Sequence, residues 1–175
     1  MLSFRPLSYL LPFVLASCVQ AQSVPPELRT GHAPLDKRLA RMITADDRAI
    51  GAAAAREMAG AVYLDARETE EYNVSHLPAA RHLGYDRMDP SVVADLDRAT
   101  PLVVYCTVGY RSERAAAELR RAGFTRVYNL YGSLYAWRLA GFPLEDAAGE
   151  PTDRVHTYNR KWGTFVPDSI GEKVH

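Results

Sequence analysis

The sequence predicts an α/β fold, a mostly parallel β-sheet held between helices, on three observations. Short apolar runs alternate with helical patterns along the middle of the chain, the order expected when strands are joined by crossover helices. One of those runs, Pro101-Leu-Val-Val-Tyr-Cys106, has almost no polar alternation, as a strand covered on both faces requires. The chain has 175 residues, 47% of them apolar, which suffices to bury one core of ordinary size.

Taken in order, the first 17 residues carry one charge, Arg5, followed by the apolar run from Leu7 to Ala16. Ten residues interrupted by Pro12 cannot cross a hydrocarbon core, which needs about 20. A basic start, a short apolar centre and small residues at its end describe a secretory signal peptide. Its end, Leu15-Ala16-Ser17-Cys18, resembles the lipobox of bacterial lipoproteins. That resemblance implies a lipidated Cys18 as the first mature residue and a periplasm-facing domain anchored in the cell envelope. Val19, where an Asp would be the inner-membrane signal, leans the expectation to the outer membrane. The alternative is an ordinary signal peptide cut after Ala21. Residues 19–38, rich in Pro, Gln and small polar residues, read as a flexible tether.

The core elements follow. Thr44 is placed as an N-cap for a helix to about Met58, with Asp46 and Asp47 in its first turn and Gly60 beyond its end. Ala61–Asp65 reads as a buried strand, 101–106 as a second, Arg126–Leu130 as a third and Ala80–Leu83 as a weaker fourth. Asp89-Pro90 opens a helix to about Ala99. Ser112 to Ala122 places Ala115, Ala116, Leu119 and Ala122 on one face, with Gly123 as its stop. A last helix runs from Ser133 to Ala140 before Gly141. The chain thus divides into a signal segment (1–17), a lipidated cysteine and tether (18–38), a domain (39–146) and an aromatic-containing C-terminal tail (147–175).

Composition narrows the function. The 21 basic and 21 acidic residues balance, and loss of residues 1–17 removes only Arg5, so the footprint of a nucleic-acid binder is missing. Two cysteines, Cys18 and Cys106, exclude a disulfide-rich scaffold and a cysteine-based zinc cluster. With Cys18 acylated, Cys106 is a lone thiol in an oxidising compartment, and its retention needs a chemical reason. Its surroundings supply one. Cys106-Thr-Val-Gly-Tyr-Arg111-Ser112 runs from a strand end into a helix, where backbone N–H groups converge. Gly109 permits a positive φ in such a cradle. Those amides, the helix dipole and Arg111 all favour thiolate over thiol, making Cys106 a candidate nucleophile. Thr107, Val108, Gly109, Tyr110 and Ser112 complete the candidate anion cradle.

Three blocks carry a family resemblance. Asp65-Ala-Arg67, Glu71-Tyr72 and Ser75-His-Leu-Pro-Ala-Ala80 resemble the first rhodanese signature. Cys106 to Ser112 looks like the rhodanese active-site loop. Arg114 to Ala116, Leu119, Gly123, Val127, Leu130, Gly132 and Ala136-Trp137 are similar to the closing pattern, so the resemblance spans about residues 42–144. It implies a rhodanese-like three-layer sandwich, a five-stranded mostly parallel sheet with helices on both faces. It also implies a sulfurtransferase in which Cys106 takes a sulfane sulfur from an anionic donor such as thiosulfate. The persulfide would pass it to a thiophilic acceptor: cyanide, a small thiol or a partner protein. No metal or organic cofactor is called for. Ser75, Ala79 and Ser133 depart from the family by standing where glycine is usual. Four residues separate Cys106 from Arg111, against five in the related phosphatases and arsenate reductases, which favours a persulfide over a tetrahedral oxyanion.

Asp65 and Arg67 are expected as a supporting ion pair, Arg114 as added positive potential, and Arg111 as the attractor of the donor anion. His76 and His82 read as structural, Trp137 as core and Tyr110 as a residue of the pocket rim. A rival reading keeps the fold without turnover, as a persulfide or anion sensor or a docking module.

Overall fold

The computed structural model describes residues 24–175, so the signal segment and Cys18, with its expected lipidation, lie outside the described residues. Five short strands, β1 (Ala49–Ile50), β2 (Val62–Asp65), β3 (Arg81–His82), β4 (Leu102–Tyr105) and β5 (Val127–Leu130), form one sheet. Its order is β1-β5-β4-β2-β3 and every pairing is parallel. The chain steps from β2 outward to β3, then returns to place β4 on the other side of β2. This reversal lies between β2 and β4, and ligands of open parallel sheets bind beyond the carboxyl ends of such strands. Asp65 and Tyr105 are register partners there, so the residues after each strand emerge side by side.

β4 has strands on both sides, and all four of its residues are fully buried, which is why its sequence lacks alternation. Val103 and Tyr105 join one core cluster with residues of α1 (Ala33–Leu39), α2 (Ala52–Glu57) and α5 (Ser133–Leu139). Leu102 and Val104 join the other, with Ala115, Ala116 and Leu119 of α4 (Tyr110–Arg121). The sandwich of helix, sheet and helix is therefore the one expected. A further helix, α3 (Thr69–Val74), follows β2, its start closed by a reciprocal capping box between Glu68 and Glu71.

Four expectations need correction. The tether does not stay loose through residue 38. Leu28, Leu35 and Leu39 are buried, and fully burying a leucine contributes about 1.5–3 kcal/mol, enough to dock a short helix. The single helix from Thr44 to Met58 is instead a turn, strand β1 and α2. A Cβ on Gly51 would sit 2.2 Å from the Glu27 carbonyl oxygen, so the chain crosses itself closely there and α2 starts only after Gly51. The helix after Asp89 shrinks to a 3-10 turn, Pro90–Val93. Asp89 does accept the Ser91 N–H at 2.9 Å, but the Val92 carbonyl is taken by Arg81 at 2.7 Å, diverting it from a helical ladder. Finally, α4 begins at Tyr110, two residues ahead of Ser112, because Gly109 turns the chain at φ +117°.

The C-terminal segment is also more than a tail. It forms β6 (Leu144–Glu145), β7 (Pro151–Thr152), β8 (Arg154–His156), α6 (Arg160–Gly163) and β9 (Glu172–Val174). β6 pairs with β7 and β8 with β9, and Val155, Val166 and Ile170 are buried in the first core cluster. Arg138 of α5 ties it down, donating to the Ile170 carbonyl at 2.8 Å and to Asp153 at 3.1 Å.

Candidate active site

Cys106 follows β4 directly and is 1% exposed. Its loop is held from behind by α5, whose early N–H groups donate to the loop carbonyls, Leu134 to Cys106 at 3.2 Å and Tyr135 to Thr107 at 3.3 Å. With those carbonyls engaged, an amide is turned to the sulfur: the Gly109 N–H donates to Cys106 Sγ at 3.1 Å. Burial pushes the Cys106 thiol up. The charge of Arg111 and the N–H groups of Ser112 and Gly109 outweigh it, holding the thiol below its ordinary value.

A polar scaffold behind the loop fixes this geometry. The Ser112 hydroxyl donates to Asn129 Oδ1 at 2.7 Å, and Asn129 Nδ2 donates to the Gly109 carbonyl at 3.1 Å. The Cys106 N–H donates to Ser133 Oγ at 3.1 Å, whose own proton goes to the Leu130 carbonyl at 3.0 Å. Ser133 adopts φ +49° and Ala79 φ +56°, so two of the three departures from glycine keep a glycine-like backbone. Ser75, by contrast, is extended, and its carbonyl receives Arg67 Nη2 at 2.6 Å.

Arg111, the expected attractor of the donor anion, lines the cavity and is paired with Glu71. Its Nη1 lies 2.5 Å from Glu71 Oε2 and its Nη2 2.7 Å from Glu71 Oε1, a bidentate pair. The Thr107 hydroxyl joins, donating to Glu71 Oε1 at 3.2 Å and accepting from Arg111 Nη2 at 3.1 Å. Burial raises the Glu71 carboxyl, but the hydrogen bonds and charge of Arg111 hold it below its usual range. Arg111 therefore acts on Cys106 through its charge while its donors position Thr107 and Glu71.

The other expected residues divide. Val108, at 5% exposure, packs into the core and also lines the cavity, and Tyr110, at 40%, stands on its rim. Asp65 and Arg67 form a fully buried ion pair at 2.6 Å behind the loop after β2, away from the pocket lining. Arg114 is exposed and braces the hydroxyls of Tyr85 and Tyr110. His76 stacks on Tyr72 with ring centres 3.9 Å apart, and His82 meets the Arg67 carbonyl at 2.9 Å, both structural. Trp137 is core, its indole N–H donating to the Pro143 carbonyl at 2.8 Å.

Cys106 opens into a cavity of about 330 Å³. Sequence reasoning missed much of its wall, including Met42, Glu68, Tyr85, Asp86, Tyr158 and Trp162. It also assigned no role to Glu71 or Asn129. A carboxylate in the same signature as Arg67 and an Asn inside an apolar strand were the available signals.

Comparisons with known proteins bear on the family of the chain. The family model for rhodanese-like domains matches residues 51–140. A thiosulfate sulfurtransferase GlpE of Pseudomonas fluorescens is 41% identical over 93 residues, 53% of this chain and 83% of that protein. Its counterpart in Ectopseudomonas mendocina is 41% identical over 91 residues, 51% of this chain and 81% of that one. Among solved structures, the rhodanese-like domain of an Anabaena sp. protein, determined by NMR, superposes with a TM-score of 0.53 at 24% identity, covering 58% of this chain and 80% of that one. A crystal structure of the Anabaena protein gives 0.51 at 26% identity, covering 55% and 80%. The chain belongs to the rhodanese-like family. Within it, the domain and its relatives place it among the rhodanese-type sulfurtransferases.

Proposed function

We propose that Cys106 carries a sulfane sulfur, as a persulfide, from an anionic donor of the thiosulfate type to a thiophilic acceptor. The Cys106 thiolate attacks the donor's outer sulfur; a new S–S bond forms, and sulfite departs with the electron pair of the bond that breaks. The acceptor, cyanide, a small thiol or a protein thiol, then takes the outer sulfur and the Cys106 thiolate returns. The observation that carries this reading is the Gly109 N–H held 3.1 Å from Sγ of a cysteine whose thiol lies below its ordinary value. The same amides and the N-terminus of α4 are suited to the charge of the bound sulfur. Arg111, paired with Glu71 at the cavity wall, adds its charge to that of the loop amides.

We also place the domain at the cell envelope, tethered through a lipid on Cys18 and facing the periplasm. The support is the tetrapeptide ending at Cys18, after an apolar segment too short to span. One experiment addresses both readings. Intact-protein mass spectrometry of the envelope fraction, before and after thiosulfate, should show acyl mass at Cys18 and one added sulfur that disappears in Cys106→Ser. The treated protein should then convert cyanide to thiocyanate. No sulfur adduct and no thiocyanate would overturn the transfer reading, and an unacylated mature N-terminus would overturn the anchor.

A further inference from the structure

Among the described residues, the large apolar side chains left exposed are Tyr110, at 40%, and Tyr158, at 53%, and both stand at the mouth of the Cys106 cavity. Scattered apolar exposure needs no explanation, but its concentration at one opening does. Tyr158 comes from the C-terminal segment, beyond the stretch that matches the family, residues 51–140. Its position is enforced. It adopts φ +66°, which a tyrosine seldom takes, and its N–H donates to His156 Nδ1 at 3.1 Å. On one side Thr157 is pinned by the Val174 carbonyl at 2.8 Å and by His175 at 2.7 Å. On the other, Asn159 caps α6 through the Trp162 N–H at 3.1 Å. The fold thus holds a strained tyrosine out in solvent, with its ring 5.1 Å from the Arg111 guanidinium carbon.

Trp162 extends the same wall, backed by Phe165 with ring centres 5.4 Å apart and by Arg38 at 5.2 Å. Tyr85 and Tyr110, linked through Arg114, supply more aromatic surface. The charge of the mouth matters equally. Among the described lining residues Arg111 is the sole cation, it is paired with Glu71, and Glu68 and Asp86 add two carboxylates. Arg114, braced on two of these tyrosines, offsets one carboxylate, so a doubly charged anion entering this mouth still meets a net negative charge, while a flat apolar body meets rings.

We propose that Tyr158 and Trp162 are specificity residues that select a sulfur donor with an aromatic or similarly flat apolar body and a single negative charge, of the aryl thiosulfonate class, over thiosulfate. This rests on Cys106 being the sulfur carrier. The Cys106 thiolate attacks the outer sulfur of the thiosulfonate; the S–S bond to Cys106 forms, and the aryl sulfinate leaves with the electron pair of the broken bond.

The test uses the full chain with cyanide as acceptor, and compares kcat/KM for benzenethiosulfonate with that for thiosulfate. Intrinsic donor reactivity cancels when the ratio is compared between variants. Tyr158→Ala should lower the ratio about three- to tenfold, mainly through KM for the aryl donor, and Tyr158→Phe should retain it. Tyr158 is exposed, so its truncation leaves the core intact. A ratio unchanged in Tyr158→Ala overturns the inference while sulfur on Cys106 leaves the carrier reading standing. Failure of both donors to place sulfur on Cys106 overturns both.

Discussion

Cys106 lies deep in the fold, and burial alone would keep its proton on. Two directed N–H groups and the Arg111 charge reverse that balance, so reactivity belongs to the loop and not to the cysteine as such. Arg111 does so while bound to Glu71, which is why its effect is electrostatic and short-ranged. The sign of the pH dependence follows. The thiolate is the reactive form, so reaction is lost as pH falls through the Cys106 value, which lies below that of an ordinary thiol. Arg111→Gln removes the cation and leaves the Glu71 carboxylate unneutralised, and both changes disfavour the thiolate. The midpoint of Cys106 alkylation by iodoacetamide against pH should therefore rise by about 1–3 pH units. An unmoved midpoint would show that the N–H groups alone set the thiolate.

At the level of elements, local chemistry and tertiary demand compete at the turns. Gly109 suits its positive φ, but Ala79 and Ser133 occupy the same region with a side chain, at about 1–2 kcal/mol each. Ser133 repays part of this because its hydroxyl accepts the Cys106 N–H. Ala79 offers no such side-chain bond. Ala79→Gly should raise the unfolding free energy in urea by about 0.5–1 kcal/mol, the relieved strain less the added entropy of the unfolded chain. A loss of stability would mean that the turn is not strained. The strands and the cysteine loop were legible in the sequence because apolar runs and glycine turns are local signals. Strand β1 was not, since two residues, Ala49 and Ile50, become a strand only by pairing with Asn129 and Leu130. The helix expected after Asp89 failed for a related reason, a distant arginine claiming one carbonyl.

Across the whole molecule, the segments on either side of the family-matched stretch are built into its core. Leu35 and Leu39 from one end, and Val155, Val166 and Ile170 from the other, share a cluster with Val103 and Tyr105 of the central strand. The chain should accordingly unfold as one unit. Ile170→Ala, at a site 1% exposed, should cost about 2–5 kcal/mol in a single urea transition followed by both near-UV and far-UV circular dichroism. Two separated transitions, or no loss, would show the C-terminal segment folding apart. The same packing brings Tyr158 and Trp162 to the cavity mouth, a consequence that residues 147–175 do not announce in their order.

The sequence by itself determined strands β2, β4 and β5, the candidate nucleophile Cys106 and the loop that follows it, because these rest on signals close along the chain: apolar runs, a glycine turn and amides that converge at a helix start. Tertiary structure decided what Arg111 faces and what lines the entrance. Glu71 lies 40 positions from its partner Arg111, and Tyr158 reaches the pocket from outside the family-matched stretch. Long-range pairing follows burial and closure of the whole chain, and local pattern does not encode which distant carboxylate or ring will arrive.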